Sequence, residues 1–134
     1  MDIQGESVLS FINSRLPESR INDLLGMEAS RTITKGQRLR KTGDKVAEKS
    51  IWLLKEKIEH DEAPGSSLAR LLDRLPAEQV RIIADACEKA RITLYLRSEM
   101  GQIGFGLEPD LLKRLAEFGI PFEVDILSFG MVEE

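Results

Sequence analysis

The chain has 134 residues, 19 basic and 23 acidic side chains, a formal net charge of −4, one His and one Cys. That length fits one domain, since domains run to about 100–200 residues. A hydrophobic share of 42% with 31% charged residues fits a globule that buries a real core. One Cys excludes an internal disulfide framework and any multi-thiolate zinc or iron–sulfur site, and one His excludes a His-pair metal motif. No bound cofactor or metal is expected. No apolar run approaches the ~18 residues of a membrane span. Met1-Asp2-Ile3-Gln4-Gly5-Glu6 lacks the basic start and apolar stretch of a secretory signal, so the expected location is cytoplasmic, away from membranes.

In chain order, Val8-Leu9-Ser10-Phe11-Ile12 reads as a strand. Pro17 and Glu18 open a helix with an Ile21, Leu24, Leu25 stripe, and Gly26 ends it. Arg31 to Thr34 is a short strand. A basic, Gly-containing loop follows at about 35–49. Ser50-Ile51-Trp52-Leu53-Leu54 is a strand apolar on both faces. Glu59 to Gly65 is a polar loop, and Ser66 or Ser67 caps the next helix, whose Leu68, Leu71, Leu72 and Leu75 recur at helical spacing. Pro76 starts another helix to about Ala90, burying Val80, Ile83, Cys87 and Ala90. Ile92, Leu94 and Leu96 alternate with Thr93, Tyr95 and Arg97 on a strand. Gly101 turns the chain into another strand, Ile103 to Leu107. Pro109 opens a last helix ended by Gly119, and Phe122, Val124 and Ile126 form the final strand.

The order β-α-β-β-α-α-β-β-α-β predicts an α+β fold: a largely antiparallel sheet of about six strands with helices packed on one face. Its first elements read as a ferredoxin-like βαββαβ core, followed by a βαβ extension, all in a single domain over residues 1–134. Two helices share a device, Pro17 to Gly26 and Pro109 to Gly119, which hints at internal duplication.

Particular residues carry a family resemblance. Pro17-Glu18 after a strand, then Leu24-Leu25-Gly26-Met27, Lys35-Gly36, Ile51-Trp52, Leu71-Leu72-Asp73-Arg74-Leu75 and a closing strand–helix–strand resemble the DUF4279 proteins, small and mostly bacterial domains of unassigned function. The resemblance covers almost the whole chain, with the Leu-Leu-Gly helix end and the strand Trp as its better markers. It implies the fold and a single domain. It brings no catalytic residues with it.

Between Arg31 and Lys49, seven basic residues face Asp44 and Glu48, a net +5 that leaves −9 for the remainder. Lys35, Arg38, Arg40 and Lys41 on a Gly-flanked loop can meet phosphates, nucleic acid or an acidic protein. The spacing is not a P-loop, because Gly43 is followed by Asp44, and no aromatics interleave to stack on single-stranded bases. The commoner use of such a run is a solvated connection. Trp52, exposed, would anchor an interface; on an apolar strand it belongs to the core.

His60 among Glu59, Asp61 and Glu62 fits a surface turn better than an acid–base group or a calcium loop. Cys87 sits where a helix dipole opposes a thiolate. Gly104 and Gly106 fall on a strand face, not in the strand-to-helix turn of a dinucleotide fingerprint; bare of side chains, that face can form a shallow groove or let another backbone or ring approach, and the ordinary reading is room for a bulky cross-strand neighbour. Tyr95, Arg97, Glu123 and Asp125 belong to the sheet face away from the helices, solvated or buried by dimerisation through the sheet.

With no nucleophile–base set, metal cluster or cofactor loop to assemble, the first expectation is a binding module acting through protein–protein contact, regulatory or immunity-type. Its acidic remainder suits a basic partner. The alternative is phosphate or nucleic-acid binding through the basic loop. A small enzyme working on the open sheet face is the third.

Overall fold

A computed structural model describes residues 3–40 and 43–131. Among these, nine elements follow one another: β1 (Gln4–Ser14), α1 (Glu18–Leu25), β2 (Arg31–Ile33), β3 (Ile51–Lys57), α2 (Pro64–Arg74), α3 (Ala77–Asp85), β4 (Cys87–Met100), α4 (Pro109–Glu117) and β5 (Phe122–Met131). The strands form one sheet in the order β2-β3-β1-β4-β5. The pairs β2–β3, β3–β1 and β1–β4 are antiparallel, and β4–β5 is parallel. The fold is α+β, as expected, but the sheet is mixed and has five strands where about six were expected.

The missing strand is Ile103 to Leu107. A hairpin at Gly101 needs a free edge of β4, and both edges of β4 are occupied, by β1 and by β5. The segment runs as irregular chain instead, back to the start of α2, where a Cβ on Gly65 would stand 3.4 Å from Leu107 Cδ2 and 3.6 Å from Gly106 O. The closing unit is therefore α4–β5 without the expected additional strand before it.

Helix boundaries shift for similar reasons. The helical reading of Val80, Ile83, Cys87 and Ala90 competes with a strand reading of Ala90, Ile92, Leu94 and Leu96. Pairing decides it, with Cys87 opposite Ser14 and Ala90 opposite Phe11, so α3 stops at Asp85 and β4 begins at Cys87. Helix α2 starts at Pro64, with Pro in the first turn and no side-chain cap. Ser67, one of the two expected caps, is fully buried and faces β1. Gly26 does end α1 in the left-handed region, at φ 71°.

Alternation along the strands separates the two sheet faces. Leu9 pairs with Leu54 and Ile92, and Phe11 with Trp52 and Ala90, so these six share one face. The helices cover it with Ile21 and Leu25 of α1, Leu68, Leu71 and Leu72 of α2, Val80 and Ile83 of α3, and Leu111 and Leu115 of α4, forming one apolar core. Fully burying each such side chain contributes roughly 1.5–3 kcal/mol. No described helix is long and apolar enough to cross a membrane. Among the described residues the opposite sheet face carries no helix, and β5 lies at the sheet's edge.

Candidate functional site

The basic loop folds into a small hairpin. Gly36 N donates to Ala47 O at 2.8 Å, Ala47 N to Gln37 O at 2.8 Å and Leu39 N to Lys45 O at 3.1 Å, around an isolated bridge between Arg38 and Val46. Ala47 is buried and roots the hairpin. Lys35, Arg38, Arg40 and Lys45 are exposed and make no ion pair among the described residues, whereas Lys49 pairs with Glu88 at 2.8 Å. Lys41 lies outside the described residues.

The sheet face without helices is ordered in cross-strand rows. One row runs Lys57, Glu6, Tyr95, Asp125, and the next Lys55, Val8, Thr93, Glu123. Val8, Ser10 and Thr93 are buried on this face. Their neighbours are long charged side chains tied by ion pairs: Arg91 to Glu123 at 3.3 Å, Lys89 to Glu123 at 3.8 Å and Lys55 to Glu6 at 3.7 Å.

Three of the four residues expected on this face come together. Tyr95, Arg97 and Asp125 line an open cleft of about 560 Å³ with Gly5, Glu6, Lys57 and Leu127. Glu123 does not join them; it is held by Arg91 and Lys89. Lys57 and Arg97 make no ion pair among the described residues and also border an adjoining cleft of about 750 Å³, walled by loop residues 58–64 and Gly104 to Gly106. Gly5, like Lys57 and Arg97, lines both clefts. The φ of Gly5, 151°, and its closeness to β4 leave no room for a side chain: a Cβ would stand 1.8 Å from Tyr95 O. Gly104 and Gly106 clear no strand face, because their segment is not a strand.

The loop wall is fixed by Glu62, which accepts from Arg70 and, at 2.9 Å, from Glu59 N. The Arg70 hydrogen bond, helped by the Glu59 N–H, holds the Glu62 carboxyl below its ordinary range. His60 Nε2 stands 3.2 Å from Asp61 Oδ2, both largely exposed. No group of three His, Cys, Asp or Glu side chains among the described residues is arranged to hold a metal ion.

Trp52 faces the core, 3% exposed, with Nε1–H donating to Asn22 Oδ1 at 2.9 Å and its ring centroid 5.5 Å from that of Phe11. Cys87 opens β4 instead of lying within a helix; its Sγ donates to Ile83 O at 3.2 Å. Burial pushes its thiol above the ordinary value, against smaller opposing effects of Ser14 and Arg15.

One feature of the surface has no counterpart among the residues the sequence singled out. Strand β5 exposes Val124, Ile126 and Leu127 at 43%, 48% and 54%. The helical layer stops short of β5, which leaves Val124 and Ile126 bare on the helix side. The alternation Phe122-Glu123-Val124-Asp125-Ile126 signals a strand, but nothing in it distinguishes an edge strand from an interior one.

The sequence model of a domain of unknown function, DUF4279, matches residues 4–129, nearly the whole chain. No curated protein matches the chain, and no solved structure does.

Proposed function

The chain belongs to the DUF4279 family, and from that premise we propose that it is a protein-interaction module whose docking element is the outer edge of β5. The observation that carries this reading is a ten-residue edge strand with three exposed large apolar side chains. An extended polypeptide adding to such an edge gains main-chain hydrogen bonds along its length, while its alternate side chains meet Val124 and Ile126 on one face and Leu127 on the other. Edge strands of this kind associate unless they are shortened, bent or blocked by charge. Among the described residues of β5, Glu123 is held in ion pairs by Arg91 and Lys89, and Asp125 is the exposed acidic side chain beside this edge. We take the first four strands, in the order β2-β3-β1-β4, as the expected ferredoxin-like unit, with α4 and β5 as its extension and a cytoplasmic setting.

The test uses a synthetic strand as probe, the peptide spanning residues 121–129 of this sequence. At a concentration where the chain sediments as a monomer, the peptide is expected to slow amide exchange at Val124 and Ile126, and Ile126→Lys to abolish the effect. Unchanged exchange at both amides would remove the reading.

A second reading, anion binding through the basic hairpin, is favoured by Lys35, Arg38, Arg40 and Lys45 standing exposed without ion-pair partners among the described residues. Clustered cations of this kind meet phosphates without sequence preference.

A further inference from the structure

We infer that the occupant of the β5 edge is the β5 edge of a second copy of this chain, paired antiparallel about a two-fold axis at Ile126. This rests on the strand-docking reading and adds the identity of the partner.

Backbone parity comes first. Ile92 N donates to Pro121 O at 3.0 Å, and Ile92 lies opposite Phe122 in the parallel β4–β5 pair. In a parallel ladder this makes the odd-numbered residues of β5 turn both backbone groups toward β4 as far as Ser128, where the register shifts. Phe122, Val124 and Ile126 then turn theirs to the outer edge. The residues with outward backbone groups are therefore the ones whose side chains lie bare on the helix side, Val124 and Ile126.

An antiparallel neighbour must set even residues against even ones, which puts the axis on a residue, and positions 124 to 127 lie in the middle of the strand. An axis at 124 would put Asp125 directly opposite Glu123 of the second copy. An axis at 125 would put Asp125 opposite itself. Like charges in directly opposed positions destabilise a strand pair. An axis at 127 avoids both clashes but pairs only Ile126 to Ser128 within the regular part of β5 and moves Ile126 off its twin. An axis at 126 sets Asp125 against Leu127 of the second copy, stacks Ile126 on Ile126, and pairs Val124 through Ser128, the regular part of β5 on either side of the axis.

The sheet's other edge does not compete. Strand β2 has three residues and leads into the basic hairpin, so a head-to-tail contact would leave most of the ten-residue β5 unpaired. The two-fold contact is self-complementary and closes. It gathers Val124 and Ile126 of both copies into one apolar strip on the helix side, while Glu123 stays on the far face with Arg91 and Lys89.

Sedimentation of the full chain over a wide concentration range is expected to show a monomer–dimer equilibrium that Ile126→Lys shifts to monomer and Arg38→Glu leaves unchanged. In a Cys87→Ser background, Ile126→Cys is expected to cross-link to dimer under mild oxidation, because directly opposed hydrogen-bonded residues have Cα atoms about 5.5 Å apart, within disulfide range. Val124→Cys, two residues off the axis, is expected to cross-link far less. A chain that stays monomeric throughout overturns the inference, as does Val124→Cys cross-linking as well as Ile126→Cys. If the monomeric chain still shows slowed exchange at Val124 and Ile126 with the 121–129 peptide, strand docking stands and only self-pairing falls. If the peptide also has no effect, both fall.

Discussion

Ser7 of β1 and Ser67 of α2 meet through their hydroxyl oxygens at 2.8 Å, both fully buried between sheet and helix. Ser67 Oγ also donates to Pro64 O at 2.9 Å. A hydroxyl has one proton, so with that proton on Pro64 O the hydroxyl of Ser7 donates to Ser67 Oγ. The pair joins β1 to the first turn of α2 in the same layer as Leu9 and Leu54.

The two serines are then expected to respond unequally. Ser67→Ala strands the Ser7 donor in the core, at a cost of roughly 1–3 kcal/mol. Ser7→Ala leaves Ser67 its bond to Pro64 O and removes one net hydrogen bond, about 0.5–1.5 kcal/mol. The double variant has no orphaned donor and should be no less stable than Ser67→Ala alone. Denaturant midpoints of the four proteins close the cycle; additive losses would show that the hydroxyls do not act as a pair.

Gly5 is expected to be the least replaceable of the described glycines. Its φ of 151° and a Cβ position 1.8 Å from Tyr95 O mean that Gly5→Ala must separate β1 from β4 where both clefts are lined by Gly5. A loss of about 3 kcal/mol or more, or failure to fold, is the expected outcome. Gly104→Ala serves as the control, since its Cβ would meet nothing within 4 Å and its stability should change by less than about 0.5 kcal/mol. Thermal melts compare the two, and a mild Gly5→Ala would show that the strands can part cheaply.

The contrast between these glycines also marks how far the sequence was legible. Periodicity located every helix and the five strands that form, because alternation and helical stripes record which side of an element is buried. It could not see that both edges of β4 are taken, so Ile103 to Leu107, which alternates well, was expected as a strand. Trp52 was legible as core from its apolar neighbours. The gathering of Tyr95, Arg97 and Asp125 followed from strand parity, but the diversion of Glu123 to Arg91 did not, since it depends on which residues of β4 lie beside β5. The bare edge of β5 is a property of strand order alone, and local pattern carries no strand order.

Acid should weaken the β3–α2 loop through Glu62. Arg70 holds this carboxyl below its ordinary range, so it contributes stability above its unfolded value, about 4.3, and that contribution is lost as pH falls through the lower folded value. Arg70 is partly exposed, so the pair is worth about 0.2–1 kcal/mol. Between neutral pH and about pH 3, Glu62→Gln is expected to lose less stability than the wild type, starting from a lower value at neutral pH. Parallel pH profiles of the two proteins would show that Glu62 is uncoupled from folding. Arg70 also donates to Lys57 O at 2.5 Å, so Arg70→Ala should loosen the loop wall of the larger cleft as well.

The basic hairpin offers a test with little structural interference. Arg38 and Arg40 are exposed and make no ion pair among the described residues, so Arg38→Glu with Arg40→Glu should change stability by less than about 0.5 kcal/mol per site. If the hairpin binds phosphates, affinity for a short DNA duplex will fall linearly in log–log terms with salt, at a slope of about −0.9 per neutralised phosphate. The double variant would then bind more weakly and with a shallower slope, by roughly 2 if each arginine neutralises one phosphate. Binding that is absent at low salt, or a slope the double variant leaves unchanged, would return Lys35, Arg38, Arg40 and Lys45 to the role of a solvated connection that offsets the acidic remainder of the chain.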